Sequence, residues 1–137
     1  MVLKTGNLNP LGDLYSVAPV DYSGISTING WVAAGLFKEI LVKKLGKTVF
    51  VSFYIDGTSN DTIANFTLPY ALNTSLMSNN VIGGLCWQTY NAGSAADVPA
   101  AYQLSGNTVT LFKTPSHAAW TASGEKVVSG QFWYETS

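Results

Sequence analysis

The chain reads as an all-β protein, an antiparallel sandwich or barrel, and three observations lead there. Short runs of β-branched and aromatic residues recur along its 137 residues, separated by Gly, Asn, Ser and Pro turns. Two pairs of such runs flank tight turn signals, Leu45-Gly46-Lys47 and Ser105-Gly106-Asn107. Within the runs, apolar side chains alternate with a period of two, the signature of a pleated strand.

Thr48 to Tyr54 shows the alternation best. Val49, Val51 and Phe53 fall on one face and belong to a core; Thr48, Phe50, Ser52 and Tyr54 fall on the other. A helix fits poorly, because Val, Thr, Phe and Tyr lose side-chain freedom there and pack well on a sheet. Glu39 to Lys44 supplies the partner strand, with Ile40 and Val42 facing one way and Glu39, Leu41 and Lys43 the other. Phe50 and Tyr54 on a face that should be polar call for cover by another layer or another subunit.

Residues 1–26 read as an irregular segment, punctuated by Asn9-Pro10, Gly12-Asp13, Pro19 and Ser23-Gly24. Its apolar residues, Leu11, Leu14, Tyr15, Val17, Val20 and Tyr22, are too many for a free tail. The segment should lie against the domain, with a short strand near Leu14 to Val17, or form the junction to a shaft. Residues 27–137 form the sandwich. Ile28 to Phe37 enters it as a bent strand or loop, since Gly30 and Gly35 oppose a helix.

Asp56 to Asn65 reads as a turn region and Ile63 to Leu68 as a strand stopped by Pro69. Leu72 to Asn80 is a polar loop or a short helical turn. Val81 to Tyr90 is a strand whose Gly83-Gly84 marks a bulge or a close approach of backbones. Asn91 to Pro99 reads as a loop. Ala101 to Leu104 and Thr108 to Lys113 make the second hairpin, with Val109 and Leu111 on its inner side. A long loop from Thr114 to Glu125 leads to the closing strand, Lys126 to Thr136. There Val128, Gly130, Phe132 and Tyr134 share one face, and Val127, Gln131 and Trp133 the other.

Charged residues make up 11% of the chain, against about 25% in an average soluble domain, and the formal net charge is -1. Such a surface has little attraction for phosphate backbones or anionic membranes, so no nucleic-acid partner and no membrane insertion are expected. No apolar run approaches the length of a membrane span, and the N-terminus carries no secretory signal pattern. Cys86 is the sole cysteine, in an apolar run, and reads as a small buried hydrophobe.

The segment Lys43-Lys44-Leu45-Gly46-Lys47-Thr48-Val49-Phe50-Val51-Ser52-Phe53-Tyr54-Ile55, the Gly-Thr-Ser-Asn turn after it and Phe66-Thr67-Leu68-Pro69 together carry a resemblance. So does the closing Gly130-Gln131-Phe132-Trp133-Tyr134-Glu135-Thr136. These stretches are similar to the C-terminal domains of bacteriophage tail-fibre, baseplate and related receptor-binding or head-fibre proteins. The resemblance covers roughly Trp31 to Leu68 and the last strand. It implies an antiparallel β-sandwich, commonly a jelly roll, assembled as a homotrimer on a virion in contact with other virion proteins, that recognises bacterial surface polysaccharide or protein without catalysis. It transfers no ligand residues, because binding loops differ among such proteins.

The residues themselves point away from an enzyme. Asp56 and Asp61 share one loop, where turn-forming explains both better than a catalytic pair does. With Thr58 and Asn60 they have the oxygen chemistry of a calcium site but not the helix-loop-helix spacing. One histidine and one cysteine make no zinc site within a chain. No cofactor and no metal are expected.

Aromatic residues are the better lead, since exposed rings stack on sugars and anchor protein interfaces. The candidate ligand set is Trp120 and His117 in the long loop, Trp87 and Tyr90 near the end of the Val81 to Tyr90 strand, and Asn91 and Asp97 in the loop after that strand as hydrogen-bonding neighbours. Phe50, Tyr54 and Trp133 are the candidate subunit interface. Trp87 also suits a core or interface position. The expected function is host-surface attachment or virion assembly. The competing readings are a carbohydrate-binding or glycan-degrading module and a purely structural capsid decoration or collar.

Overall fold

The computed structural model describes residues 17–76 and 79–137. The segment expected as a strand near Leu14 to Val17 lies almost wholly outside the described residues. Ten strands form one antiparallel, strongly curled sheet that folds over itself into two layers. They are β1 (Val20–Asp21), β2 (Ile28–Asn29), β3 (Phe37–Leu45), β4 (Thr48–Thr58), β5 (Ala64–Thr67), β6 (Val81–Asn91), β7 (Ser94–Ala95), β8 (Ala100–Ser105), β9 (Thr108–Phe112) and β10 (Glu125–Glu135). The spatial order is β1-β3-β4-β10-β6-β8-β9-β5-β2, with β7 paired to β6. This is the all-β antiparallel class expected; the jelly-roll form is not established by this order.

Both hairpins form where the turn residues place them. Leu45 faces Thr48 across Gly46-Lys47, and Ser105 faces Thr108 across Gly106-Asn107. Gly46 and Gly106 take positive φ, at 60° and 57°, which a two-residue hairpin turn requires. The strand β4 runs further than expected, through Asp56 to Thr58, because β10 pairs with its whole length from Thr48 to Thr58.

The long strand β6 belongs to both layers. Val81 to Cys86 pairs with β8, while Trp87 to Tyr90 pairs with β10. The ladder between β6 and β10 shifts register between Val127 and Val128, leaving one extra residue on β6. Gly83-Gly84 is therefore no bulge: pairing there is regular. It is a close approach, because a Cβ on Gly83 would stand 2.8 Å from the Tyr102 carbonyl oxygen, and one on Gly84 would stand 2.9 Å from the Tyr102 ring.

Asn91 to Pro99 also departs from the expected loop. Asn91 pairs with Ser94 across Ala92-Gly93, both at positive φ, so a small hairpin carries β7. Ala92 hides the turn from a sequence reading that looks for Asn or Gly there.

The core lies between the layers and follows the alternation. Ile40 and Val42 from β3, Val49, Val51, Phe53 and Ile55 from β4, and Val128, Phe132 and Tyr134 from β10 face Phe66, Leu104, Val109 and Leu111 from the other layer. Phe53 packs on Phe66 with ring centroids 5.0 Å apart, and Tyr102 stacks on Phe132 at 4.4 Å. Each such side chain contributes about 1.5–3 kcal/mol by leaving water. Tyr134 keeps its polar end satisfied by donating to the Tyr70 carbonyl at 2.6 Å. The chain before β2 is tied to both layers: Ser23 Oγ accepts from the Ile40 amide at 2.8 Å, and Ser26 Oγ donates to the Thr67 carbonyl at 2.8 Å.

Candidate functional site

The outer face of the larger layer carries the features a binding surface needs. On β4 the outward residues are Phe50, Ser52 and Tyr54; on β10 they are Ser129, Gln131 and Trp133; on β6 they are Leu85 and Trp87. Register sets them in rows across the strands. Trp133 lies opposite Phe50, Gln131 opposite Ser52, and Ser129 between Tyr54 on one side and Trp87 on the other. Phe37 from β3 meets Tyr54 edge to face at 5.8 Å. Trp87 is 68% and Trp133 61% exposed, and Phe50, Tyr54 and Leu85 are also open to solvent. Alternation alone would have put polar residues here.

A groove of about 670 Å³ runs across this face at the point where β6 leaves the layer. Trp87 and Leu85 form one wall and Tyr54 the other; Ser52, Ser129 and Gln131 line it, and Pro99 closes one end. Its floor is Gly130. The glycine is demanded from beneath, since a Cβ there would stand 2.8 Å from both Cys86 Cβ and the Phe53 ring. The lining holds no charged side chain. Burial holds the Cys86 thiol up at about 12, so it stays protonated and inert under the floor.

The sequence-based candidates scatter. Trp87 and Asp97 share a shallow depression with Val98 and Pro99 beside the groove. Tyr90 is exposed at the far end of β6. Asn91 is committed to structure: its amide nitrogen donates to Thr121 Oγ1 at 3.3 Å and its oxygen accepts from the Thr121 amide at 3.2 Å. His117, at positive φ, stacks flat on Phe112 at 4.1 Å, in a different groove lined by Ile82, Tyr102 and Pro115.

Trp120 requires a correction. Expected as an exposed stacking residue in a polar loop, it is only 2% exposed, and its indole nitrogen donates to the Leu111 carbonyl at 2.8 Å. The long loop dips into the core to deliver it, so neither ring face is open to a ligand.

The phase of β10 hides a further residue. Lys126 has the same parity as Val128, Gly130, Phe132 and Tyr134, and it is buried at 0% exposure. Its Nζ lies 4.4 Å from the centroid of the Trp31 ring and 5.6 Å from that of Trp120, and donates to the Asp61 carbonyl at 3.4 Å. Trp31 enters by way of Gly30, whose φ of 101° and 2.3 Å Cβ approach to the Ile63 carbonyl exclude any other residue. The Trp31 indole nitrogen donates to the Lys126 carbonyl at 3.0 Å. Desolvation draws the ammonium down to about 8, opposed by the nearby Asp61 charge. This box is a structural staple built on cation–π contacts. Asp61 itself accepts from the Ile63 amide at 3.1 Å, as a turn carboxylate does.

Among the described residues, no three His, Cys, Asp or Glu side chains are grouped to hold a metal ion, and no helix is long and apolar enough to cross a membrane.

No protein-family profile matches the chain, and no curated protein matches it in sequence. Among solved structures it is similar to the Ad16 fibre knob, an adenovirus protein, with a TM-score of 0.49 and 9% identity over 88% of this chain and 97% of the knob. A likeness that loose does not bear on function.

Proposed function

We propose that this chain is the β-sandwich domain of a virion appendage, a fibre or tail component of a bacteriophage, that works in host-surface attachment or virion assembly as a homotrimer and performs no chemistry. One observation carries the reading: the Phe50–Trp133 end of the outer face presents large rings to water on a surface poor in charge. Contiguous apolar surface of that kind marks an interaction site. Neighbouring copies burying Phe50 and Trp133 would remove that end of the face from solvent, and the rest of the surface would remain for contacts outside the trimer. The likeness of Lys43 to Pro69 and of the last strand to phage fibre domains points the same way.

Solution mass by light scattering at low micromolar concentration tests it. The expected mass is three times 14.6 kDa, falling towards one chain in the Phe50→Ser/Trp133→Ser double variant. A wild-type mass of one chain overturns the trimer. An antibody against the domain that fails to decorate the appendages of intact particles overturns the virion assignment.

A further inference from the structure

We propose that the groove between Trp87 and Tyr54 is a binding site for a neutral saccharide, held by ring stacking and by hydrogen bonds to Ser52, Ser129 and Gln131. The inference deepens the attachment role proposed above by naming its ligand chemistry.

Three features of the groove select that chemistry. Trp87 offers a broad, solvent-facing π surface, the kind on which the C–H face of a pyranose packs. Tyr54 and Trp87 stand two strand spacings apart with Ser129 between them, about 10 Å between backbones, which leaves room for a sugar ring. Second, Ser52, Ser129 and Gln131 make no side-chain hydrogen bond to another described residue, although they lie in the middle of an aromatic frame. A second copy of this apolar face would bury those groups unpaired, at a cost; a polyhydroxylated ligand gives each of them a partner. Third, the lining is free of charge, so it offers nothing to a phosphate or a uronate, and it holds no carboxylate that could cleave what binds.

The Phe50–Trp133 pair lies at the other end of the same face. Phe50 and Tyr54 are four residues apart on β4, about 13 Å along the strand. Assembly through Phe50 and Trp133 and saccharide binding beside Trp87 are therefore separable.

The test titrates the whole chain with a panel of neutral tetrasaccharides based on glucose, galactose, mannose and N-acetylhexosamines. Calorimetry and tryptophan fluorescence follow binding, with mass measured in parallel. At least one member is expected to bind with a Kd of roughly 0.1–1 mM. Trp87→Ala should weaken it about tenfold or more and Gln131→Ala severalfold, with the unfolding midpoint and the mass unchanged. The proposal is overturned if no member binds at about 10 mM, or if Trp87→Ala binds as well as wild type. Dissociation of the oligomer by Trp87→Ala also overturns it, because the groove then belongs to a second copy. So does preferential binding of a sulfated oligosaccharide that weakens steeply with salt. A trimer that binds no saccharide defeats this inference alone; a single chain that binds one defeats the trimer alone.

Discussion

The four tryptophans divide into two environments that their local sequences do not distinguish. Trp31 and Trp120 sit in loops rich in Gly, Ala, Ser and Thr, yet both are buried around the Lys126 ammonium. Trp87 and Trp133 sit in apolar strands, yet both stand in solvent. Strand parity explains the second pair: Trp133 alternates with the inward Phe132 and Tyr134, and Trp87 follows the inward Cys86. The first pair is explained by a cation that has no carboxylate side chain bonded to it and takes two ring faces instead. Hydrophobic neighbours in sequence are thus a poor guide to burial here, and phase along a strand is a good one.

Substitution should break the two environments apart. Trp31→Ala and Trp120→Ala should each cost about 3–5 kcal/mol in denaturant unfolding, through cavity formation and loss of an indole hydrogen bond. Trp87→Ala and Trp133→Ala should stay within about 0.5 kcal/mol for the single chain. Any larger loss at Trp133 should grow with protein concentration, which is the mark of a subunit contact.

The cation at the centre of the buried pair sharpens the contrast by pH. Lys126 titrates at about 8 in the fold, below its ordinary 10.5, so between those values the unfolded chain holds more protons. Stability should therefore rise with pH in that window by up to ~3 kcal/mol and be flat below it. The raised Cys86 thiol acts in the opposite sense above pH 9. The difference between wild-type and Lys126→Met unfolding curves isolates the lysine, and a difference that does not change from pH 7 to pH 10 would mean the ammonium is well solvated.

A smaller effect concerns the loop that delivers Trp120. Ala92, at φ 55°, underlies that loop: the Gly93 amide donates to the Glu125 carbonyl at 3.1 Å, and only glycine fits at position 124, where a Cβ would stand 2.6 Å from the Ala92 backbone. Ala92→Gly should raise stability by about 0.5–1 kcal/mol, read as a shift of the unfolding midpoint at constant slope.

Both long hairpins, the inward faces of β4 and β10 and the burial of Cys86 were legible because alternation and turn chemistry are local. Phe50, Tyr54 and Trp133 were legible as residues out of keeping with an outer face. Lys126 was within reach: extending the even positions of β10 back from Val128 places it in the core, but a lysine there reads as a strand boundary. Trp120 was not, since nothing in Thr114 to Glu125 says that the loop folds inward. The groove was not either. It exists because β6 changes partners after Cys86, and the exchange of β8 for β10 leaves no trace in the residues of β6 itself.

The strand β10 occupies the middle of the larger layer, between β4 and β6, although it is the last strand of the chain. During synthesis, β4 and β6 must wait with open edges until residue 135 has left the ribosome. The domain's largest hydrogen-bonded ladder is therefore the last to form, and the nascent chain meets its neighbours before it meets itself. In the homotrimer proposed above, that delay is when copies translated side by side can exchange a strand.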